Sequence, residues 1–154
     1  MSKQKFIKQS EIDAPIDQVF AFHETPEALE ILTPPWEKVE VLERTKGIQI
    51  GSKVLLKTKT GFLWQRWEAE HIEYIPNQLF IDVQRRGPFA CWLHQHRFVP
   101  TDRGTTLMID EVDYELPMGW LGEWVAGAFV RKKLQRLFDY RHEMLAEQFK
   151  KTAT

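Results

Sequence analysis

Residues 120–149, WLGEWVAGAFVRKKLQRLFDYRHEMLAEQF, decide how this chain is read. Apolar residues recur in them at intervals of three and four: Leu121, Trp124, Ala128, Leu134, Leu137, Phe138, Leu145 and Phe149. That spacing predicts one long α-helix with a buried face. The two halves of the helix differ. From Trp120 to Val130 it is apolar nearly all round, whereas Arg131, Lys132, Lys133, Arg136, Arg141, Glu143 and Glu147 give the second half a solvated face. Such a helix is anchored by its C-terminal half and borders a cavity or a partner with its N-terminal half.

Upstream of the helix, residues 36–116 follow a period of two. Strands are predicted at 38–44, 52–60, 64–75, 78–85, 90–100 and 105–116. Turn signals separate them: Lys46-Gly47, Thr60-Gly61, Pro76-Asn77, Arg86-Gly87-Pro88 and Asp102-Arg103-Gly104. Consecutive strands joined by short turns form an antiparallel meander. A further strand is predicted at 6–12, followed by two short helices. Asp13 and Pro15 suit the start of the first, with Val19, Phe20 and Phe22 inward. Thr25 suits the N-cap of the second, with Leu29 and Leu32 inward, and Thr33-Pro34-Pro35 ends it. The fold class is therefore α+β: a curved antiparallel sheet of about seven strands, with two short helices, wrapped round one long C-terminal helix. Residues 1–154 are read as one domain.

Alternation along the strands predicts which residues face the helix. With Lys53, Lys57 and Lys59 on one side of their strand, Val54, Leu56 and Thr58 face in. The last two strands can pair in two registers. One of them sets Phe98 opposite Met108, His96 opposite Asp110, His94 opposite Val112 and Trp92 opposite Tyr114. It is preferred because it leaves Gln95, Arg97, Glu111 and Asp113 together on the outer face, and a slip by one residue mixes the two sets.

Composition narrows the function. Hydrophobic residues make up 43% and charged residues 28%, as in ordinary globular proteins. A net charge of −1 argues against a general electrostatic grip on nucleic acid. The run 112–130 is interrupted by Asp113, Glu115, Pro117 and Glu123, so no integral membrane segment is expected. The N-terminus turns charged and alternating at once, unlike a signal peptide. Cys91 is the one cysteine, which excludes an internal disulfide and favours a reducing, cytoplasmic setting. Six Trp and ten Phe suit a core, but also the wall of an apolar pocket.

Several blocks, in order, carry a resemblance: Ala14-Pro15 with Val19-Phe20, Leu32-Thr33-Pro34-Pro35, and Gly87-Pro88-Phe89 followed by Trp92, His94, His96 and Phe98. Thr106 with Asp110, Tyr114 to Gly119, and Phe138 with Tyr140-Arg141 complete it. Over essentially its whole length the chain resembles the SRPBCC or START-like superfamily, whose fold is called helix-grip. That superfamily includes birch-pollen-allergen-like proteins and polyketide cyclases and dehydratases. The resemblance is greatest to the bacterial ligand-binding SRPBCC proteins, stand-alone or fused to a nucleotide-sugar-epimerase-like domain. It implies an internal cavity between sheet and long helix that holds a small hydrophobic or amphipathic molecule, such as a lipid, polyketide or quinone.

Ligand-contacting residues are expected among Val54, Leu56, Trp64, Trp92, His94, His96, Phe98, Met108, Asp110, Val112, Tyr114, Trp120, Trp124 and Ala128. About half of Phe62, Trp64, Trp67, Phe89, Trp92 and Phe98 are expected on the cavity wall. His94, His96 and Asp110 are the polar cluster in this aromatic set. They are candidates for acid/base catalysis, because a histidine beside a carboxylate in an apolar cavity has a tunable pKa. The plainer reading is that Asp110 accepts a hydrogen bond from His96 and both are satisfied. H-x-H is also a metal-ligand spacing, but a resident metal or other cofactor is not expected. Cys91 reads as a small buried hydrophobe and Arg85-Arg86 as a solvated strand end. The leading expectation is a non-enzymatic binder, the alternative a cyclase or dehydratase. In a third reading the apolar half of the helix docks a partner protein, which burial of Trp120 and Trp124 within the monomer would remove. A homodimer is left open.

Overall fold

The structure is a computed structural model, and it describes residues 3–150 apart from 46 and 61. Lys46 and Gly61, read as parts of two turns, lie outside the described residues. The chain runs β1 (Gln4–Ile12), α1 (Ile16–Glu24), α2 (Ala28–Ile31), β2 (Val39–Arg44), β3 (Lys53–Thr60), β4 (Leu63–Ile75), β5 (Leu79–Arg86), β6 (Cys91–Pro100), β7 (Thr106–Glu115) and α3 (Gly119–Lys150). The described strands form one seven-stranded antiparallel sheet in the order β1-β7-β6-β5-β4-β3-β2. The meander β2–β7 follows from short turns alone. β1 then closes on β7 at the far edge, and α1 and α2 carry the chain back across to β2. No helix among the described residues is long and apolar enough to cross a membrane.

The β6–β7 pairing has the preferred register, with His96 opposite Asp110 and Trp92 opposite Tyr114. On β7, burial alternates without a break, placing Thr106, Met108, Asp110, Val112 and Tyr114 on the inner face. β1 continues that face: Phe6 pairs with Val112 and packs its ring 5.4 Å from Phe138 of α3. Two apolar clusters fill the interior. One joins Ile12, Val19, Phe20, Phe80, Phe98, Met108, Leu145 and Phe149, fixing α1 and the C-terminal part of α3. The other joins Phe6, Trp92, Val112, Tyr114, Leu116, Leu134 and Phe138.

The short helices are capped differently from expectation. Pro15, not Asp13, stands at the N-cap of α1, and no side chain caps it. Thr25 belongs to the end of α1, where its hydroxyl donates to the carbonyl of Phe22, while Glu27 precedes α2. A threonine ahead of a proline can serve either end of a helix, and here the extended backbone of Thr25 ends α1 before α2 begins.

The buried residues of α3 are Gly127, Leu134, Phe138, His142, Leu145 and Phe149. At roughly 100° per residue they form one stripe. Trp124 and Ala128 fall roughly 40–80° to one side of it, on the flank that faces solvent, so extending the apolar period upstream from Leu134 chose the wrong flank. At the start of α3 the backbone comes close to the preceding segment: a Cβ on Gly122 would lie 1.9 Å from the carbonyl oxygen of Pro117.

A cavity with a histidine–aspartate cluster on its wall

Sheet and α3 diverge on the side of β2–β4, leaving a cavity of about 840 Å³. Its α3 wall is the other flank of the buried stripe, with Ala126, Val130, Leu137 and Arg141. The sheet contributes Val54, Leu56, Trp67, Phe80, Trp92 and Met108 among others, and α2 contributes Leu29 and Leu32. Most of the wall is carbon, as in pockets for apolar molecules. Of the expected contact residues, Val54, Leu56, Trp92, His94, His96, Met108 and Asp110 line the cavity.

The other expected contacts lie elsewhere. Phe98, Val112 and Tyr114 are on the inner face but packed in the two cores, Val112 and Tyr114 beneath the Phe138 end of α3. Trp64 is exposed beside Lys57 and Lys59, because its place on β4 turns it to the outer side of the hairpin. Trp120 and Trp124 are 74% and 80% exposed, and Ala128 is exposed too. Burial therefore does not remove the docking reading of this half-helix. Trp67, Phe89 and Trp92 face the cavity, while Phe62 and Trp64 lie outside it. Cys91 is half-buried at the start of β6. Arg85 pairs with Glu70 at 2.8 Å, and neither Arg85 nor Arg86 lines the cavity.

All five histidines of the chain line the cavity. Three of them meet two aspartates on its sheet wall. His94 and His96 alternate onto the inner face of β6, their rings 3.7 Å apart, with Phe80 stacked on His96 at 3.9 Å. Asp110 takes three imidazoles. Its Oδ1 accepts from His94 Nε2 at 2.7 Å and lies 3.2 Å from His96 Nδ1, and its Oδ2 accepts from His142 Nε2 at 2.7 Å. His142 Nδ1 in turn accepts from the hydroxyl of Ser10. The expected single His96–Asp110 pair is thus corrected to a network. His96 has a second carboxylate partner in Asp82, whose Oδ2 is 2.9 Å from His96 Nε2.

Asp82 and His142 were missed in the sequence, though each left a signal. Asp82 stands opposite His94 on the neighbouring strand, two residues after the inward Phe80. His142 continues the Leu134–Phe138 stripe by four residues, a polar residue at a buried helical position.

The electrostatics divide the histidines. Burial dominates at His94, followed by the nearby His96, and lowers its pKa. At His96 burial is again the largest influence, but hydrogen bonds to Asp110 and Asp82 outweigh it and raise the pKa. Burial opposes charge on both carboxylates as well. The hydrogen bond from His96 and the charges of the neighbouring imidazoles nevertheless bring Asp82 to about 2. Hydrogen bonds from His142, His94 and His96 hold Asp110 well below the usual range. His96 thus bridges two carboxylates that favour its charged form, with Arg141 lining the same cavity. Among the described residues, Asp82, His94 and His96 are a group whose ligand atoms lie within 4.8 Å of one another.

His23 predicts an acid limb of stability. Its Nδ1 bonds the carbonyl of Val19 at 2.8 Å, and burial lowers its pKa from 6.5 to about 4. The unfolded chain then binds more protons between those values, so stability falls as pH drops from 6.5 to 4. The loss from this residue is about 3 kcal/mol. His71 and His94, also lowered, add in the same direction, while His96, raised, opposes them. His23→Gln keeps a donor for Val19 without the titration. Urea denaturation across this pH range should show a shallower acid slope in that variant; an unchanged slope contradicts the assignment.

Comparisons with known proteins agree with this architecture. The family model described as polyketide cyclase / dehydrase and lipid transport matches residues 12–139. No curated protein matches. Among solved structures, TTHA0849 from Thermus thermophilus superposes with a TM-score of 0.76 at 18% identity, covering 98% of this chain and 100% of that one. The Zhui aromatase/cyclase from a Streptomyces species gives a TM-score of 0.73 at 18% identity, covering 99% and 97%. A nucleoside-diphosphate sugar epimerase from Corynebacterium glutamicum gives 0.72 at 24% identity, covering 94% of this chain but 29% of its own. At these identities the likeness is one of fold. The family match spans most of the sequence, and it places this chain in the polyketide cyclase/dehydrase and lipid transport family, with a START-like helix-grip fold.

Proposed function

We propose that the protein binds a small hydrophobic or amphipathic molecule in the cavity between sheet and α3. The observation that carries this reading is the cavity itself: about 840 Å³, walled mainly by apolar side chains, with the histidine–aspartate cluster on its sheet wall. Those are the proportions of a small-molecule site, in which apolar contact supplies affinity and a few polar groups fix orientation. Affinity comes from buried apolar area at ~25 cal/mol per Å². His94, His96 and Asp110, joined by Asp82 and His142, are the groups that would orient a polar end of the ligand. Titration with a fluorescent naphthalene probe tests the reading. Saturable one-to-one binding supports it; no binding, or weak binding at many sites, contradicts it.

The second reading, a cyclase or dehydratase, is favoured by the split of pKa values within one cluster. His96, its pKa raised between two carboxylates, is biased towards a general acid, and His94, its pKa lowered by burial, towards a base. In that case His96→Ala abolishes turnover of a polyketide-like substrate and leaves its binding largely intact. Equal loss of both counts against catalysis.

A further inference from the structure

The geometry points to a site for a divalent first-row transition-metal ion, held by His94 Nδ1, His96 Nε2 and an Asp82 oxygen, with its remaining coordination positions open to the cavity.

Three observations carry this. The donor atoms are already gathered: His96 Nε2 and His94 Nδ1 lie 2.9 and 3.8 Å from Asp82 Oδ2. Ligand atoms bound at ~2.0–2.1 Å in a tetrahedral site stand about 3.3 Å from one another, midway between those two distances. An ion can therefore enter by small side-chain shifts.

The second observation is the orientation of the rings. His94 already donates its Nε2 proton to Asp110, which leaves Nδ1 with its lone pair. That atom faces Asp82 at a distance beyond hydrogen bonding. His96 likewise turns its other nitrogen, Nδ1, to Asp110. A carboxylate behind each ligating imidazole is the arrangement that fixes tautomer and ring angle in metal sites. Here one carboxylate serves both rings, and His142 and Ser10 hold that carboxylate in turn.

The third is charge. Asp82 and Asp110 bring two carboxylates to the cavity wall beside the proposed ligands, with Arg141 as a cation lining the same cavity. A divalent ion balances that negative charge, and any proton on His96 Nε2 leaves to solvent as the ion binds. Two imidazoles and one carboxylate select ions such as Zn²⁺, Co²⁺ or Fe²⁺. Magnesium and calcium, which take oxygen donors, are disfavoured.

The ion would sit on the sheet wall of an apolar cavity, and this defines a ligand class. Resting on the binding function proposed above, the preferred occupant is an apolar molecule bearing an anionic or chelating oxygen, such as a phenolate beside a carboxylate. Its ring system packs between Trp92, Leu137 and Val54, and its oxygen completes the coordination of the metal.

Two titrations test this separately. In the first, chelator-stripped protein receives Zn²⁺ by calorimetry and Co²⁺ by visible absorption. The expected result is one ion per chain, with intense bands of low-coordinate Co²⁺ and no displacement by excess Mg²⁺. Binding should weaken at least 100-fold in Asp82→Asn and in His94→Gln, and 10–100-fold in Asp110→Asn, which alters only the supporting carboxylate. Circular dichroism checks that each variant is folded, and two first-sphere variants on different strands guard against the failure of one. Absence of one-to-one binding, or equal affinity in folded variants, overturns the site. In the second, hydroxynaphthoate and plain naphthalene are titrated into stripped and Zn²⁺-loaded protein. Metal should strengthen hydroxynaphthoate at least tenfold and leave naphthalene unchanged. Equal hydroxynaphthoate affinity with and without metal overturns the ligand class alone. Failure of both probes to bind, with the ion bound, refutes the cavity reading and leaves the metal site standing.

Discussion

Replacing Asp110 by alanine is expected to cost about 3–5 kcal/mol of folding free energy, the range for removing one partner from a buried charged group. The carboxylate is almost fully buried and takes His94, His142 and His96 on its two oxygens. Its removal leaves the Nε2–H groups of His94 and His142 without their acceptor and His96 with Asp82 alone, besides a void between β7 and α3. In a chain of this length the melting temperature should fall by on the order of 10 °C. Asp82→Ala should cost less, because His96 is the only one of its contacts within hydrogen-bond distance and the residue is only half-buried. Thermal and urea denaturation of the two variants compares them. If Asp110→Ala loses less than about 1 kcal/mol, the network is not what joins helix to sheet.

The second large effect concerns two alanines on opposite flanks of α3. Ala126 lines the cavity and Ala128 is exposed. Two residues turn a helix by roughly 200°, so the two Cβ atoms point to nearly opposite sides. Ala126→Trp drives an indole into the cavity and should weaken binding of the naphthalene probe at least tenfold. Ala128→Trp adds the same group to solvent and should leave the titration unchanged. Ala128→Trp should stay within about 1 kcal/mol of the parent in stability, since its site is exposed. Circular dichroism checks that Ala126→Trp, whose site borders the second apolar cluster, is folded. Equal effects of the two substitutions on binding would place the ligand outside this cavity.

That contrast also marks where the sequence stops being legible. Strand alternation is a strict period of two, and the outer polar set Gln95, Arg97, Glu111 and Asp113 leaves one sensible register. The inner face of β6 and β7 could therefore be read in advance, down to His96 opposite Asp110. Helical phase is less forgiving. The first half of α3 is apolar on every side, so its residues carry no mark of which flank meets the cavity. The strong signal of Trp120 and Trp124 pointed to burial, yet both lie exposed.

The cluster was read in half for a related reason. His94, His96 and Asp110 come from one hairpin and can be placed by register alone. Asp82 comes from the next strand, and His142 comes from a helix whose seating on the sheet no local pattern fixes. Between them they change the chemistry, because a histidine–aspartate pair becomes a network of two carboxylates and three imidazoles.

Native mass spectrometry of the protein as purified, followed by solvent extraction, tests the central claim most directly. The account predicts a population carrying one small molecule per chain, recovered in the organic extract and absent from Ala126→Trp. A folded protein that emerges without ligand and takes up none of an added hydrophobic probe contradicts it.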